Sequence, residues 1–144
     1  MLYLSQRDPR WSWVKLGNTN RTVAQVGCVT VGLSMATSYF DIYIDPGKCA
    51  KTLSYTKDAL ILWQSCLNIG LEFLKRGYIC NTTVIDEALK NPDKVCLLNV
   101  DSGGHWVLGI YRVPGTKTFW VVDPWTGSRK FYGGVVGFAT LTKK

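Results

Sequence analysis

"KVCLLNVDSGGHWVLGIYRVPGTKTFWVVDP", residues 94–124, decides how this chain is read. It breaks into "KVCLLNVD", "HWVLGIYRV" and "FWVVDP", short runs rich in β-branched and aromatic residues and separated by Gly, Pro and Asp. That is the pattern of consecutive β-strands. "VPGTKT" at 113–118 is the hairpin signal between the last two, and "VVGFATL" at 135–141 supplies a further strand. Upstream the period differs. From Cys28 to Phe40, apolar Val29, Leu33, Ala36 and Phe40 recur at helical spacing. A second helix is suggested by Leu60, Trp63, Leu67, Leu71 and Leu74 on one face, ending before Gly77. "TVIDEALKNP" adds a short helix with Thr83 and Asp86 as its capping pair, stopped at Asn91 and Pro92. "DPGK" at 45–48 reads as a turn, and residues 1–22 as an irregular lead-in. Helices first and an antiparallel sheet after them make an α+β fold, with the helix at Cys28 packed on the sheet.

The chain has 144 residues, enough for one domain, 1–144, that buries roughly two-thirds of its unfolded surface. A hydrophobic content of 47%, with six Trp, seven Tyr and five Phe, excludes disorder. The net charge of +7 favours anionic partners such as cell-wall polymers, nucleic acid or acidic peptides. The basic residues are scattered and no nucleic-acid-binding motif accompanies them, so a specific nucleic-acid site is not expected. No apolar run approaches the roughly 20 residues needed to cross a bilayer, and "MLYLSQRDPRW" does not read as a secretory signal. The expected location is therefore the cytoplasm as synthesised, or the cell wall if a phage particle or lysis system carries the protein there. Five cysteines at 28, 49, 66, 80 and 96 have no CxxC spacing, and the chain has a single histidine. The expectation is no metal, no cofactor and no disulfide framework.

That histidine, His105, follows "DSGG" at the start of a strand. From the turn centre near Gly115, the hairpin arms back to His105 and forward to Asp123 are ten and eight residues. The two side chains therefore come close to opposite one another, where a carboxylate can orient an imidazole. The alternative for Asp123 is a turn residue in "DPWTG", and the near-equal arms favour the pairing with His105 over it. In "QVGCVTVGLSMA", residues 25–36, Gly27 and Cys28 fall where the helix begins. Unpaired N–H groups and the positive end of the helix dipole favour a thiolate there. A small buried hydrophobe is the alternative, and Cys49, Cys66, Cys80 and Cys96 fit it better. Gln6 is informative only as part of this set, as a donor to a developing oxyanion alongside the Cys28 backbone N–H.

In that order, "LSQRDPRW", "GCVTVGLSMA", "GGHWVLGI" and "VVDPWTG" resemble the papain-like cysteine peptidases of the bacteriocin-processing, double-glycine-leader type, over residues 4 to about 127. The resemblance implies a papain-like fold, with N-terminal helices packed on a C-terminal antiparallel β-sheet. It implies Gln6 as oxyanion donor, Cys28 as nucleophile, His105 as general acid/base and Asp123 as its orienter, in a thiol protease without cofactor. Leader-processing relatives are usually fused to membrane transporters. The expected partner here is instead a peptide or cell-wall (peptidoglycan) peptide, hydrolysed by a monomeric, stand-alone domain of the kind found in bacteriophage and bacterial lysis proteins. Two further readings share the scaffold: a non-catalytic peptide-binding module, and a thiol acyltransferase or deamidase with the same triad.

Overall fold

A computed structural model describes residues 1–144. Six antiparallel strands form one sheet: β1 (Leu71–Gly77), β2 (Lys94–Val100), β3 (His105–Arg112), β4 (Phe119–Asp123), β5 (Ser128–Tyr132) and β6 (Gly137–Lys143). Their spatial order is β1-β6-β2-β3-β4-β5. Four helices accompany them: α1 (Val23–Val26), α2 (Cys28–Tyr39), α3 (Pro46–Thr52) and α4 (Thr82–Lys90). The central strand β2 is buried from Val95 to Val100 because the sheet is covered on both faces. Alternate residues divide between two cores. Leu97, Leu108, Val122, Ala139 and Leu141 pack with α2, α3 and the N-terminal segment. Cys96, Leu98, Val107, Val121 and Phe138 pack under Ile85 and Ala88 of α4. The α+β architecture and the hairpin at 113–118 are as expected, with Val113 N–H donating to Thr118 O across the turn.

The helix expected over Leu60–Leu74 is not formed. Trp63–Ile69 is a 3₁₀ segment ended by Gly70 in the left-handed region (φ 82°), and strand β1 follows. Leu71 and Phe73 face the core while Leu74 points to solvent, so the apparent helical stripe joined two different elements. "DPGK" is not a free turn but the start of α3. The Asp45 carboxylate accepts from Lys48 N–H as N-cap, and Pro46 occupies the first helical turn, where its missing donor costs nothing. The cap of α4 is Asn81, whose Oδ1 accepts from Val84 N–H, rather than the Thr83–Asp86 pair. Asp86 instead holds Arg112 in a two-pronged ion pair. Strand β5 lacks the apolar alternation that marks the others, since Ser128–Phe131 are all exposed on this edge strand.

Candidate active site

The N-terminal lead-in is fixed between the first helices and the turn after β4. Gln6 N–H donates to Pro124 O at 2.7 Å, Ser5 Oγ and Arg7 Nε donate to Trp125 O, and Trp11 Nε1 donates to Ser5 O. This sets Gln6 against α1 and brings it to the cavity that also holds Cys28 and His105. That cavity, of about 550 Å³, runs from Gln25–Thr30 past Tyr55–Ile61 to Asn99, Gly103–Trp106 and Trp125.

Gly27 interrupts what would otherwise be one helix through α1 and α2. A Cβ at Gly27 would lie 2.4 Å from Val23 O, so only glycine allows this junction. Gly27 O accepts from Val31 N–H, the first bond of α2, and the Cys28 N–H has no protein acceptor. In an unbroken helix that N–H would bond Ala24 O. Here Ala24 O accepts from Gln6 Nε2 at 3.1 Å, with a longer 3.3 Å bond from the same nitrogen to Val23 O. The other amide atom, Gln6 Oε1, is buried without a partner.

His105 starts β3, paired with Val100 of β2. Asn99 Nδ2 holds its backbone by donating to His105 O at 2.9 Å and to Gly103 O at 3.1 Å. The intervening turn carries three successive positive φ values, at Asp101 (53°), Ser102 (56°) and Gly103 (96°). The ring Nε2 meets Asp123 Oδ1 at 2.7 Å. The two residues are not directly opposite. A bulge between Gly109 and Tyr111 sets Leu108 against Val122, which leaves His105 diagonal to Asp123 on the same face, still within reach. Because Nε2 is engaged by the carboxylate, Nδ1 is the ring nitrogen left for the thiol, and the Cys28 sulfur lies close enough to act on the ring. Burial pulls the His105 pKa down, but the bond to the Asp123 carboxylate and the nearby Cys28 sulfur outweigh it and push the value up to about 9. Burial opposes ionisation of Asp123 too. His105, Lys130 and the Trp125 N–H overcome it and hold the carboxyl well below the usual range.

Gln6, Cys28 and His105 thus line one cavity, and Asp123 stands behind the histidine. All five cysteines are free. Burial pushes Cys49, Cys66 and Cys96 up to about 12 each, whereas Cys28 is half-buried on the cavity wall. Two polar contributors were not anticipated. Lys130 Nζ pairs with Asp123 Oδ2 at 2.9 Å, a diagonal neighbour across β4–β5 where Asp123 faces Ser128 and Val121 faces Lys130. That pairing is readable once "SRKFY" is taken as a strand. Asn99 is the other, and "LLNVD" offers no signal for it beyond a polar residue in an apolar run. No group of three or more His, Cys, Asp or Glu side chains is placed to hold a metal. No helix is long and apolar enough to cross a membrane.

No protein-family model matches the sequence, and no curated protein matches it. Among solved structures, the chain is similar to the crystal structure of a double glycine motif protease from an AMS/PCAT transporter in complex with the leader peptide. The TM-score is 0.58 at 16% identity, over 81% of this chain and 84% of that one. The chain has the papain-like α+β fold. At that identity the likeness establishes architecture, and the chemistry has to be argued from the residues.

Proposed function

We propose that this protein is a cysteine peptidase that hydrolyses peptide bonds through Cys28, His105 and Asp123, with Gln6 assisting. The observation that carries this reading is the 2.7 Å bond between His105 Nε2 and Asp123 Oδ1, in a cavity that also holds a half-buried thiol whose own backbone N–H is unspent. In the proposed reacting form the thiol proton already sits on His105 Nδ1, as the raised His105 pKa favours, and the Cys28 sulfur adds to the substrate carbonyl carbon. The oxyanion accepts from the Cys28 N–H and from Gln6 Nε2. Gln6 can release its longer bond to Val23 O, because Gly27 N–H already satisfies that carbonyl at 2.8 Å. The imidazolium then protonates the leaving amine, and water resolves the acyl-enzyme. The neighbouring structure's complex with a leader peptide supports a peptide as the substrate class. The net charge of +7 makes a peptide borne on an anionic cell-wall polymer the second class to assay.

The test is limiting iodoacetamide followed by mass mapping, alongside turnover of peptide libraries and cell-wall preparations by wild type and Cys28→Ala. Cys28 should be alkylated first, with loss of all turnover in step, and Cys28→Ala should be inactive. Preferential labelling of Cys49 or Cys80 would sink the assignment. Binding without turnover would make the chain a peptide-binding module, and transfer to an added amine in place of water would make it an acyltransferase.

A further inference from the structure

One cation in the cavity has no counter-charge. Arg76, on β1, lines the same cavity as Cys28 and His105. Its guanidinium lies 4.1 Å from the Tyr78 ring centroid and 4.7 Å from that of Trp106, the residue after His105. Trp106 is in turn braced edge-on by Trp63 at 5.5 Å. Gly137, on the neighbouring strand β6, leaves room for this arrangement. A Cβ there would fall 2.6 Å from Arg76 Nη1 and 2.7 Å from Gly77 O. The one hydrogen bond the guanidinium makes is from Nη1 to the Gly77 carbonyl. Nε and Nη2, the edge that matches a carboxylate in a two-pronged pair, have no protein acceptor. No carboxylate lies within ion-pair distance. Asp58, on the cavity wall, is exposed and makes no such pair. Burial pulls the guanidinium below its ordinary value with no carboxylate to offset it.

A partly buried cation held between aromatic rings, with its bidentate edge unused, is a pre-formed receptor. We infer that Arg76 is the specificity-determining residue of the cleft, docking a carboxylate carried by the peptide substrate. The carboxylate is supplied by an acidic side chain or by a free C-terminus, and the chemistry of recognition is the same for both. The inference rests on the cleft being the substrate site of the peptidase reading, but the recognition it describes can be measured without turnover.

The probes are internally quenched peptides with Glu, or its neutral isostere Gln, placed at each position in turn, and matched pairs ending in a free acid or an amide. For wild type, one carboxylate position should be favoured over its neutral counterpart by about ten- to hundredfold in kcat/KM, the scale of one charge-assisted bidentate contact. Arg76→Gln should bring that ratio to near one, Arg76→Glu should reverse it towards Lys-bearing peptides, and Arg76→Lys should restore part of it. The ratio is the readout because it cancels any general loss from disturbed packing at Trp106. Dissociation constants for the same pairs on Cys28→Ala should show the same preference and the same response to position 76. The Glu–Gln set and the acid–amide set distinguish a side-chain from a terminal carboxylate. Turnover with no carboxylate preference overturns the role of Arg76 and leaves the peptidase reading standing. Preference in binding with no turnover by wild type does the reverse, and absence of both binding and turnover overturns both.

Discussion

Replacing Asp123 by Asn tests the coupling at the centre of the site, and the chain's single histidine makes the result directly readable. The introduced amide can keep its oxygen on His105 Nε2 and on the Trp125 N–H, which Asp123 Oδ1 now serves at 2.7 and 2.9 Å. Its NH₂ group would then face Lys130, which at 45% side-chain exposure is free to swing into solvent. Geometry is therefore largely retained while the charge is lost. In wild type, against burial, Asp123 and the nearby Cys28 sulfur push His105 up to about 9 from the ordinary 6.5. That displacement corresponds to roughly 3 kcal/mol of preference for the imidazolium in the folded chain. A hydrogen bond to a charged group contributes about 1.5–3 kcal/mol, so Asp123→Asn should lower the midpoint by ~1–2 pH, to roughly 7–8. Proton NMR of the His105 ring carbon hydrogens gives that midpoint without assignment. The basic limb of the kcat/KM profile, where the imidazolium that protonates the leaving amine is lost, should move with it. Stability follows with a defined sign. His105 is raised by folding, so its contribution is complete below about 6.5 and disappears as pH climbs through about 9. Asp123 is depressed, so its contribution holds above the ordinary 3.8 and disappears as pH falls below it. The stability gap between wild type and Asp123→Asn should accordingly be widest near neutrality and narrow towards both extremes. A wild-type midpoint near 6.5, or one that Asp123→Asn leaves unmoved, would refute the coupling.

Gln6→Ala should lower kcat by about 10²–10³-fold with KM nearly unchanged, while iodoacetamide still finds Cys28. A rise in KM alone, or an unfolded protein, would make Gln6 a binding or structural residue. Gly27→Ala forces a Cβ to within 2.4 Å of Val23 O and should cost about 1–3 kcal/mol in denaturant unfolding. A neutral result there would mean that the α1–α2 junction is not held by its glycine.

The candidate site's residues were easier to single out in the sequence than the sheet around them, and the reason is locality. Gly27-Cys28 before an apolar helical stripe and His105 after "DSGG" are each defined by a few neighbours, and short-range rules reach them. Strand β1 was hidden because Trp63 and Leu67 of the 3₁₀ segment continue, by coincidence of spacing, into Leu71 and Leu74 beyond Gly70. Only the pairing of β1 with the distant C-terminal strand β6, Leu71 against Lys143, makes those residues a strand. Strand β5 was hidden for the opposite reason: it is an exposed edge with no apolar alternation, and losing it concealed Lys130 behind Asp123. The near-equal hairpin arms pointed to the correct partners for His105 and Asp123 but not to the bulge at Gly109–Tyr111 that sets them diagonally.

The hydrogen bonds at the α1–α2 junction show how a residue as remote as Gln6 could serve the proposed oxyanion site. A nucleophile at a helix start needs its own N–H unspent if that group is to meet an oxyanion, yet the carbonyl one turn back must not be left bare. The break at Gly27 frees the Cys28 N–H, and the Gln6 amide takes over Ala24 O. The cost is Gln6 Oε1, buried with no partner, in a residue only 3% exposed. An orphan acceptor of that kind costs about 1–3 kcal/mol. An apolar side chain at position 6 would avoid the orphan and would leave Ala24 O unsatisfied in its place, so stability alone gives no advantage to glutamine. What separates the two choices is an amide donor in a residue that lines the same cavity as Cys28, which an apolar residue cannot supply. If the proposed chemistry holds, local rules are broken here in the manner expected where a fold gives up stability for a reactive site.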